Sequence, residues 1–295
     1  MKPAPFGYHD PRTIEEALDL LARLENARLL AGGQSLVPML NFRIARPSDL
    51  IDLNRVAGLD RLTESASGLS IGAMVRQREL EISAAVRRRC PLLVEALGSV
   101  GHRTTRNRGT MGGSLAHLDP SAELPVAALA LGATLHLRSA RGARVLPMAL
   151  FPAGVMTPAL EAGEMLTRID LADWPHGHGF AFIEFGRRRD AFAIVTCAVL
   201  ITIDAGNRIE RASLALGGIG PVPVRLHEAE RAITGTRGAE ADLERATACT
   251  ASLDAFDDYQ ASAEHRRHLA GVMIRRGVAR ALARARCDAP PPGAR

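Results

Sequence analysis

Two short stretches of this sequence share one design. "AGGQS", Ala31 to Ser35, and "TMGGS", Thr110 to Ser114, each place a glycine pair just ahead of a small hydroxyl residue. One Gly-Gly pair is most simply a tight turn, because glycine readily supplies unusual backbone angles at an entropic cost. Two pairs of matching pattern suit an anion. With no side chain in the way a phosphate can approach the main chain, and free N–H groups can converge on it. Ser35, Thr110 and Ser114 add hydroxyl donors, and a helix starting after each pair would add a partial positive charge. Two such loops from separate parts of the chain suggest a ligand with two linked phosphates, gripped between lobes.

Other chemistries are excluded by composition. Of the 37 basic residues only Lys2 is a lysine, so neither a P-loop nor a Schiff-base enzyme is available. The Rossmann pattern G-x-G-x-x-G is missing, and Asp52 at about twenty residues past the first loop is weak by itself. The four cysteines, Cys90, Cys197, Cys249 and Cys287, are scattered without any C-x-x-C. No metal or cluster site of this chain's own is expected. His176 and His178 beside Trp174 lack a third convergent ligand and read as an exposed loop. His102 and His117 are the acid–base candidates near the glycine pairs, and they do not assemble a convincing pair; no catalytic residue is assigned. The formal net charge is +5, but aromatics make up only 4% of the chain, too few for base-stacking platforms. The arginine runs suit solvated faces or an acidic partner protein, and nucleic acid is not an expected ligand.

The 295 residues, 47% of them hydrophobic, are enough for two or three packed units. Thr13 and Glu16 form a capping box ahead of a helix carrying Ile14, Ala17, Leu18 and Leu21. A buried strand at Leu29–Ala31 stops at Gly32-Gly33, and a second strand in "SDLIDLNRV" closes the first unit near Arg55. The second unit begins with a strand at about Ser70 to Ala73. Leu93, Ala96, Leu97 and Val100 then mark a helix. The quoted "TMGGS" loop follows, then an apolar helix from about Pro120 and strands in "TLHLRS" and "MLTRIDL". After "WPHGHG", three β-rich runs suggest an antiparallel meander. Gly217-Gly218-Ile219-Gly220 reads as a turn. Helices are expected from about Val224, near Glu240, and from Glu264 to Arg286, with Asp254, Asp257 and Asp258 on a helix face. The tail "DAPPPGAR" is expected to fray. No apolar run approaches the ~20 residues that span a bilayer, and "MKPAPFGYHD" lacks a secretory signal. Cytoplasm is the expected compartment.

"AGGQSLVPMLNFRIARPSDLIDLNRV", "RNRGTMGGSLAHLDPSAELP" and "LALGGIGPVPVR" resemble the FAD-binding medium subunit of molybdenum hydroxylases. This is the family of carbon monoxide dehydrogenase, nicotine dehydrogenase and the flavin region of xanthine dehydrogenase. The likeness runs in order from Phe6 to about Arg284. It implies an α+β fold: a two-lobed FAD-binding domain of the PCMH/vanillyl-alcohol-oxidase-like kind at 1–175, with subdomains at about 1–55 and 56–175. A C-terminal domain of antiparallel sheet plus helices follows at 178–286, and 287–295 form the frayed tail. By resemblance Ala31, Gly32, Gly33, Gln34 and Ser35, with Thr110, Met111, Gly112, Gly113 and Ser114, would hold the FAD diphosphate. Leu29, Leu30 and Leu36 would flank it. Glu123 matches an acidic residue near the ribityl chain, Leu166 a flavin contact, and Phe192 an aromatic over the isoalloxazine ring. The family's Gly-Asp-Phe/Tyr-Ala reads Asp190-Ala191-Phe192-Ala193 here, so the carboxylate has moved to Asp190 or is lost. The resemblance further implies partners: a large molybdopterin subunit and a small subunit with two [2Fe-2S] clusters, as a heterotrimer or a dimer of heterotrimers. This chain would pass electrons from the small subunit to an external acceptor. An alternative keeps the fold but makes the chain a self-sufficient FAD oxidoreductase, and another makes it a non-catalytic nucleotide-binding protein.

Overall fold

A computed structural model describes residues 1–188 and 191–287 of the chain. Asp190 and all of the proline-rich tail beyond Cys287 lie outside the described residues.

The first part of the chain builds a three-stranded parallel sheet. Its strands are β1 (Gly7–His9), β2 (Ala27–Leu30) and β3 (Asp49–Asp52), in the order β1-β3-β2. Helix α1 (Ile14–Arg23) makes the crossover between β1 and β2, and α2 (Leu36–Asn41) the one between β2 and β3. Thr13 caps α1 by accepting from the Glu16 N–H at 3.1 Å. Glu16 reaches back one residue further than an ideal capping box, to the Arg12 N–H at 2.7 Å. Ala17, Leu18, Ile51, Leu53 and Val56 form the small core beneath.

The second part is a five-stranded antiparallel sheet flanked by short helices. The sheet consists of β4 (Leu62–Ser65), β5 (Gly68–Gly72), β6 (Thr134–Ser139), β7 (Gly142–Pro147) and β10 (Met165–Ala172). Their order is β4-β5-β10-β6-β7. Between β7 and β10 a two-stranded hairpin, β8 (Pro152–Gly154) and β9 (Thr157–Pro158), projects beside it. The helices are α3 (Gln77–Ile82), α4 (Ala84–Arg89), α5 (Pro91–Ser99), α6 (Arg103–Arg108), α7 (Met111–His117) and α8 (Glu123–Leu131). Every residue of α8 is buried, the signature of a helix enclosed on all sides. One core cluster joins this helix and α5 to Leu135, Leu137 and Ile169 of the five-stranded sheet, and to Ala198, Leu200 and Ala215 beyond it.

Those last residues belong to a four-stranded antiparallel sheet. Its strands β11 (Gly179–Gly186), β12 (Ala193–Ile203), β13 (Ile209–Gly217) and β14 (Val224–Arg225) lie in sequence order. Its other face is covered by α9 (His227–Ile233), α10 (Glu240–Ala248) and the long α11 (Ala263–Cys287), through a second cluster that includes Val199, Leu214, Ile274 and Val278.

Four local expectations need correction. "TMGGS" is the first turn of α7 with Thr110 as its cap, not a loop. Val224 sits in β14, held against Leu216 of β13, and the helix starts only at His227. The apolar helix expected from about Pro120 begins at Glu123, because Pro120 to Ala122 are occupied by a turn on Asp119. Asp254, Asp257 and Asp258 lie in the irregular segment 253–262, whose backbone is held by Asp258 itself accepting from the N–H groups of Gln260 and Ala261.

Candidate FAD-binding cleft

The first glycine segment leaves β2 and turns sharply, with Gly33 at φ +75°. Only glycine adopts that angle without strain. Among the described residues, the N–H groups of Gly32, Gly33, Gln34, Ser35 and Leu36 have no acceptor in the protein. A run of unpaired main-chain donors at a partly open surface is a site for an anion. Ser35 precedes α2 but makes no capping bond with its side chain, so its hydroxyl is available too.

The second segment works differently. Its N–H groups from Met111 to Ser114 are already used. Met111 donates to the Val75 carbonyl at 3.1 Å and Gly112 to that of Ala73 at 2.9 Å. Gly113 donates to Thr110 Oγ1 at 3.0 Å. The expectation of two cradles of free N–H groups therefore holds for the first segment only. The glycines of the second permit close approach. A side-chain carbon on Gly112 would lie 2.5 Å from Ala73 Cβ, and one on Gly113 would lie 2.7 Å from Thr110 Oγ1 and 3.3 Å from Ala31 Cβ. What this segment offers a ligand is the hydroxyls of Thr110 and Ser114. The helix after the first segment has 6 residues and the one that contains the second has 7, too short for the expected dipole to contribute much.

The segments meet. A side-chain carbon on Gly32 would stand 2.2 Å from the Arg108 carbonyl oxygen and 2.8 Å from Gly109 Cα. Main chain packs directly on main chain there. Both segments then line one cavity of about 1390 Å³, above the 300–1,000 Å³ typical of sites for drug-sized molecules. Of the residues singled out in the sequence, Leu29, Ala31, Gly32, Gly33, Gln34, Ser35, Leu36, Thr110, Gly112, Gly113, Ser114, Glu123, Leu166 and Phe192 line it. Leu30 and Met111 do not. Leu30 alternates with Leu29 along the strand and so faces away, while Met111 is fully buried in the main core.

Glu123 opens α8 at the cavity wall and is 9% exposed. Burial, reinforced by the nearby Glu184 and Asp119 carboxylates, pushes its pKa from 4.5 to about 8. It is therefore a carboxylic acid at neutral pH, able to donate as well as accept a hydrogen bond. Leu166 lies on β10 at a bulge between Leu166 and Arg168. Phe192, 67% exposed, stands at the mouth with Arg187, Tyr259 and Gln260. Arg187 ties that rim together by donating to the carbonyls of Tyr259 at 2.7 Å and Gln260 at 3.2 Å.

Sequence reading missed several lining residues. Gln77 on α3 is 5% exposed, lines the cavity, and has no hydrogen-bond partner for Oε1 among the described residues. Thr105 and Met156 also line it. Nothing local marks Gln77, Thr105 or Met156, since long-range packing brings them there. His102 and His117, the acid–base candidates near the glycine pairs, line the cavity too, His117 at the end of α7. The lining fits FAD. Five open N–H groups and three hydroxyls suit a diphosphate, Leu29, Leu36, Leu160 and Leu166 suit a flat apolar ring, and Gln77 and Glu123 supply buried polar groups.

Among the described residues no helix is long and apolar enough to cross a membrane. The family model for the FAD binding domain in molybdopterin dehydrogenase matches residues 4–174, and that for the CO dehydrogenase flavoprotein C-terminal domain matches 180–281. The chain is 39% identical over 288 residues to the 6-hydroxypseudooxynicotine dehydrogenase complex subunit alpha of Paenarthrobacter nicotinovorans, covering 97% of each chain. It is 35% identical to the carbon monoxide dehydrogenase medium chain of Afipia carboxidovorans, covering 97% of this chain and all of that one. Its fold superposes on a solved carbon monoxide dehydrogenase chain from Hydrogenophaga pseudoflava with a TM-score of 0.94 at 34% identity, covering 96% of this chain and 99% of that chain. The α+β architecture is accordingly that of a carbon monoxide dehydrogenase medium chain, and this protein belongs to the family of FAD-binding medium subunits of molybdenum hydroxylases, as an oxidoreductase subunit.

Proposed function

We propose that this chain accepts electrons from a small subunit carrying two [2Fe-2S] clusters and delivers them to an external acceptor. The substrate would be oxidised at molybdopterin on a large subunit. The three chains would assemble in the cytoplasm as a heterotrimer or a dimer of heterotrimers. Residues 1–175 would form the FAD-binding domain, with lobes at about 1–55 and 56–175, and 178–286 the C-terminal domain. The observation that carries this reading is the meeting of the two glycine segments on one cavity, with five unpaired N–H groups on one side and hydroxyls on the other.

FAD supplies one- and two-electron exchange when bound; everything else falls to the chain. Gly32 to Leu36 bind the diphosphate through the main chain, and Ser35, Thr110 and Ser114 add hydroxyl donors. Leu29, Leu36 and Leu166 exclude water along the apolar walls. Glu123 holds a proton at its carboxyl within the cavity, and Phe192 covers the mouth. The chain purified alone is expected to carry FAD, or to take it up on reconstitution, and to be reduced by a reduced [2Fe-2S] partner but not by the complex's organic substrate. A chain that takes up no FAD overturns the proposal. One that turns over an organic substrate unaided overturns its division of labour.

A further inference from the structure

Asn54 and Arg76 touch both glycine segments without lining the cavity. Asn54 follows β3 and Arg76 follows β5, so each belongs to a different sheet. Asn54 Nδ2 donates to the Ala31 carbonyl at 3.0 Å. Arg76 Nη2 donates to Asn54 Oδ1 at 2.6 Å, and its Nη1 to the Arg108 carbonyl at 2.5 Å. A continuous chain of three hydrogen bonds thus runs from Ala31, at the head of the first segment, to Arg108, just before the second. Asn54 is itself fixed, because Asp52 Oδ1 accepts from its main-chain N–H at 2.9 Å and from Nδ2, while Tyr8 donates to Asp52 Oδ2 at 2.6 Å. Arg76 is fixed at its backbone by a bridge to Thr110.

We propose that Asn54 and Arg76 form a strut that sets the gap between the two glycine segments, and that they are positioning residues for the diphosphate rather than contacts to it. This inference rests on the FAD-binding reading above. The planar fork of the guanidinium is what allows one side chain to bridge an amide oxygen and a carbonyl in fixed geometry, and a lysine ammonium on a flexible stem cannot reproduce that. Gly32 belongs to the same device. It lets the Arg108 carbonyl come close enough to be held while packing on the first segment. Cutting any one link leaves the segments in mutual contact but free to slide. The cost falls on the ligand that needs both of them at once, not on the fold of either sheet.

The test measures FAD affinity of the flavin-free full chain by fluorescence quenching, with its melting midpoint as the control for folding. Arg76→Met removes the two links made by the guanidinium, and Asn54→Asp the one to Ala31. Asn54→Asp keeps the contact to Arg76 but cannot donate to the Ala31 carbonyl or from its side chain to Asp52 Oδ1. Each is expected to raise the Kd for FAD about tenfold to hundredfold, the worth of one or two charge-assisted hydrogen bonds. The melting midpoint should stay close to that of the parent chain. Because the links act in series, the double variant should bind no worse than the weaker single one. Arg76→Lys keeps the charge and is expected to lose as much as Arg76→Met. If the parent chain binds FAD but the variants stay within about twofold of it, or their losses add, or Arg76→Lys restores binding, the strut is overturned and the FAD reading stands. If the parent chain itself binds no FAD, both fall.

Discussion

Replacing Gly32 with alanine adds a single carbon and removes no hydrogen-bonding group, which makes it a clean probe of how the two glycine segments meet. The added Cβ would stand 2.2 Å from the Arg108 carbonyl oxygen, whereas ordinary van der Waals contact begins at 3.4 Å. The segments must therefore part by about 1.2 Å along that line. The obstructing atoms are main chain, so no side-chain rotation relieves the clash. The same carbonyl accepts from Arg76, and a shift of that size also lengthens that bond past useful range. Overpacking of this kind costs about 1–3 kcal/mol. Urea unfolding of the flavin-free chain reads that cost directly, and where FAD binding draws the segments back to the parent spacing the Kd should rise roughly tenfold to hundredfold at about 1.4 kcal/mol per tenfold. Gly98→Ala is the matched control. Nothing lies within 4 Å of a carbon added there, on the exposed side of α5. It should gain about 0.5–1 kcal/mol of stability from helix propensity and leave FAD affinity untouched. A folded Gly32→Ala chain that binds FAD as the parent does would refute the close-approach argument.

Three further outcomes are expected. Glu123, with its pKa raised to about 8, binds its proton more tightly in the folded than in the unfolded chain. Its contribution is complete below about pH 4.5 and is lost as pH rises through about 8, a swing on the order of 5 kcal/mol as an upper figure. Calorimetry of the flavin-free chain should show the parent losing stability relative to Glu123→Gln between about pH 5 and 8, and parallel curves would contradict the shift. Thr110→Val leaves the Gly113 N–H without its cap acceptor and should cost about 1 kcal/mol in urea unfolding and weaken FAD binding, while Thr110→Ser keeps both. Arg266 is 2% exposed, donates to the carbonyls of Ile194 and Gly218 at 2.6 Å each, and pairs with Asp258 at 2.7 Å. Arg266→Met should cost about 3 kcal/mol and loosen the rim around Phe192 and Tyr259, seen as faster proteolysis of the segment 253–262.

Elements with a local physical cause were legible. The Thr13 cap, the Leu93–Leu97 stripe and the β-rich composition of the runs that become β11 to β13 all act within a few residues. Helix α2 was hidden because Pro38 sits in "SLVPML", yet a proline in the first turn forfeits an N–H that has no intrahelical partner anyway. Strand β1 is three residues long and is defined only by its pairing with β3. The sheet order β4-β5-β10-β6-β7 joins strands far apart in sequence, which no period or cap encodes. Gln77 shows the same limit at the site. A glutamine on an amphipathic helix gives no sign that it will be buried with an unpaired oxygen beside a cavity.

The two glycine pairs illustrate a subtler limit, because identical letters carry different physics. Gly33 is required for its backbone angle and Gly32 for a main-chain contact, and their neighbours leave five N–H groups open. Gly112 and Gly113 need no unusual backbone angle but leave room for Ala73, Thr110 and Ala31, and their N–H groups are used by Ala73 and Thr110. The inference from pattern to a shared ligand nevertheless has a structural basis, since the contacts are reciprocal. Gly32 abuts the backbone before the second segment, and Gly113 abuts Ala31 in the first. In the proposed reading the diphosphate is held asymmetrically, by main-chain donors on one side and hydroxyls on the other. Removing hydroxyls with Ser114→Ala should then weaken binding modestly. Changes that move the first segment's backbone should weaken it far more, because several donors lose their aim at once.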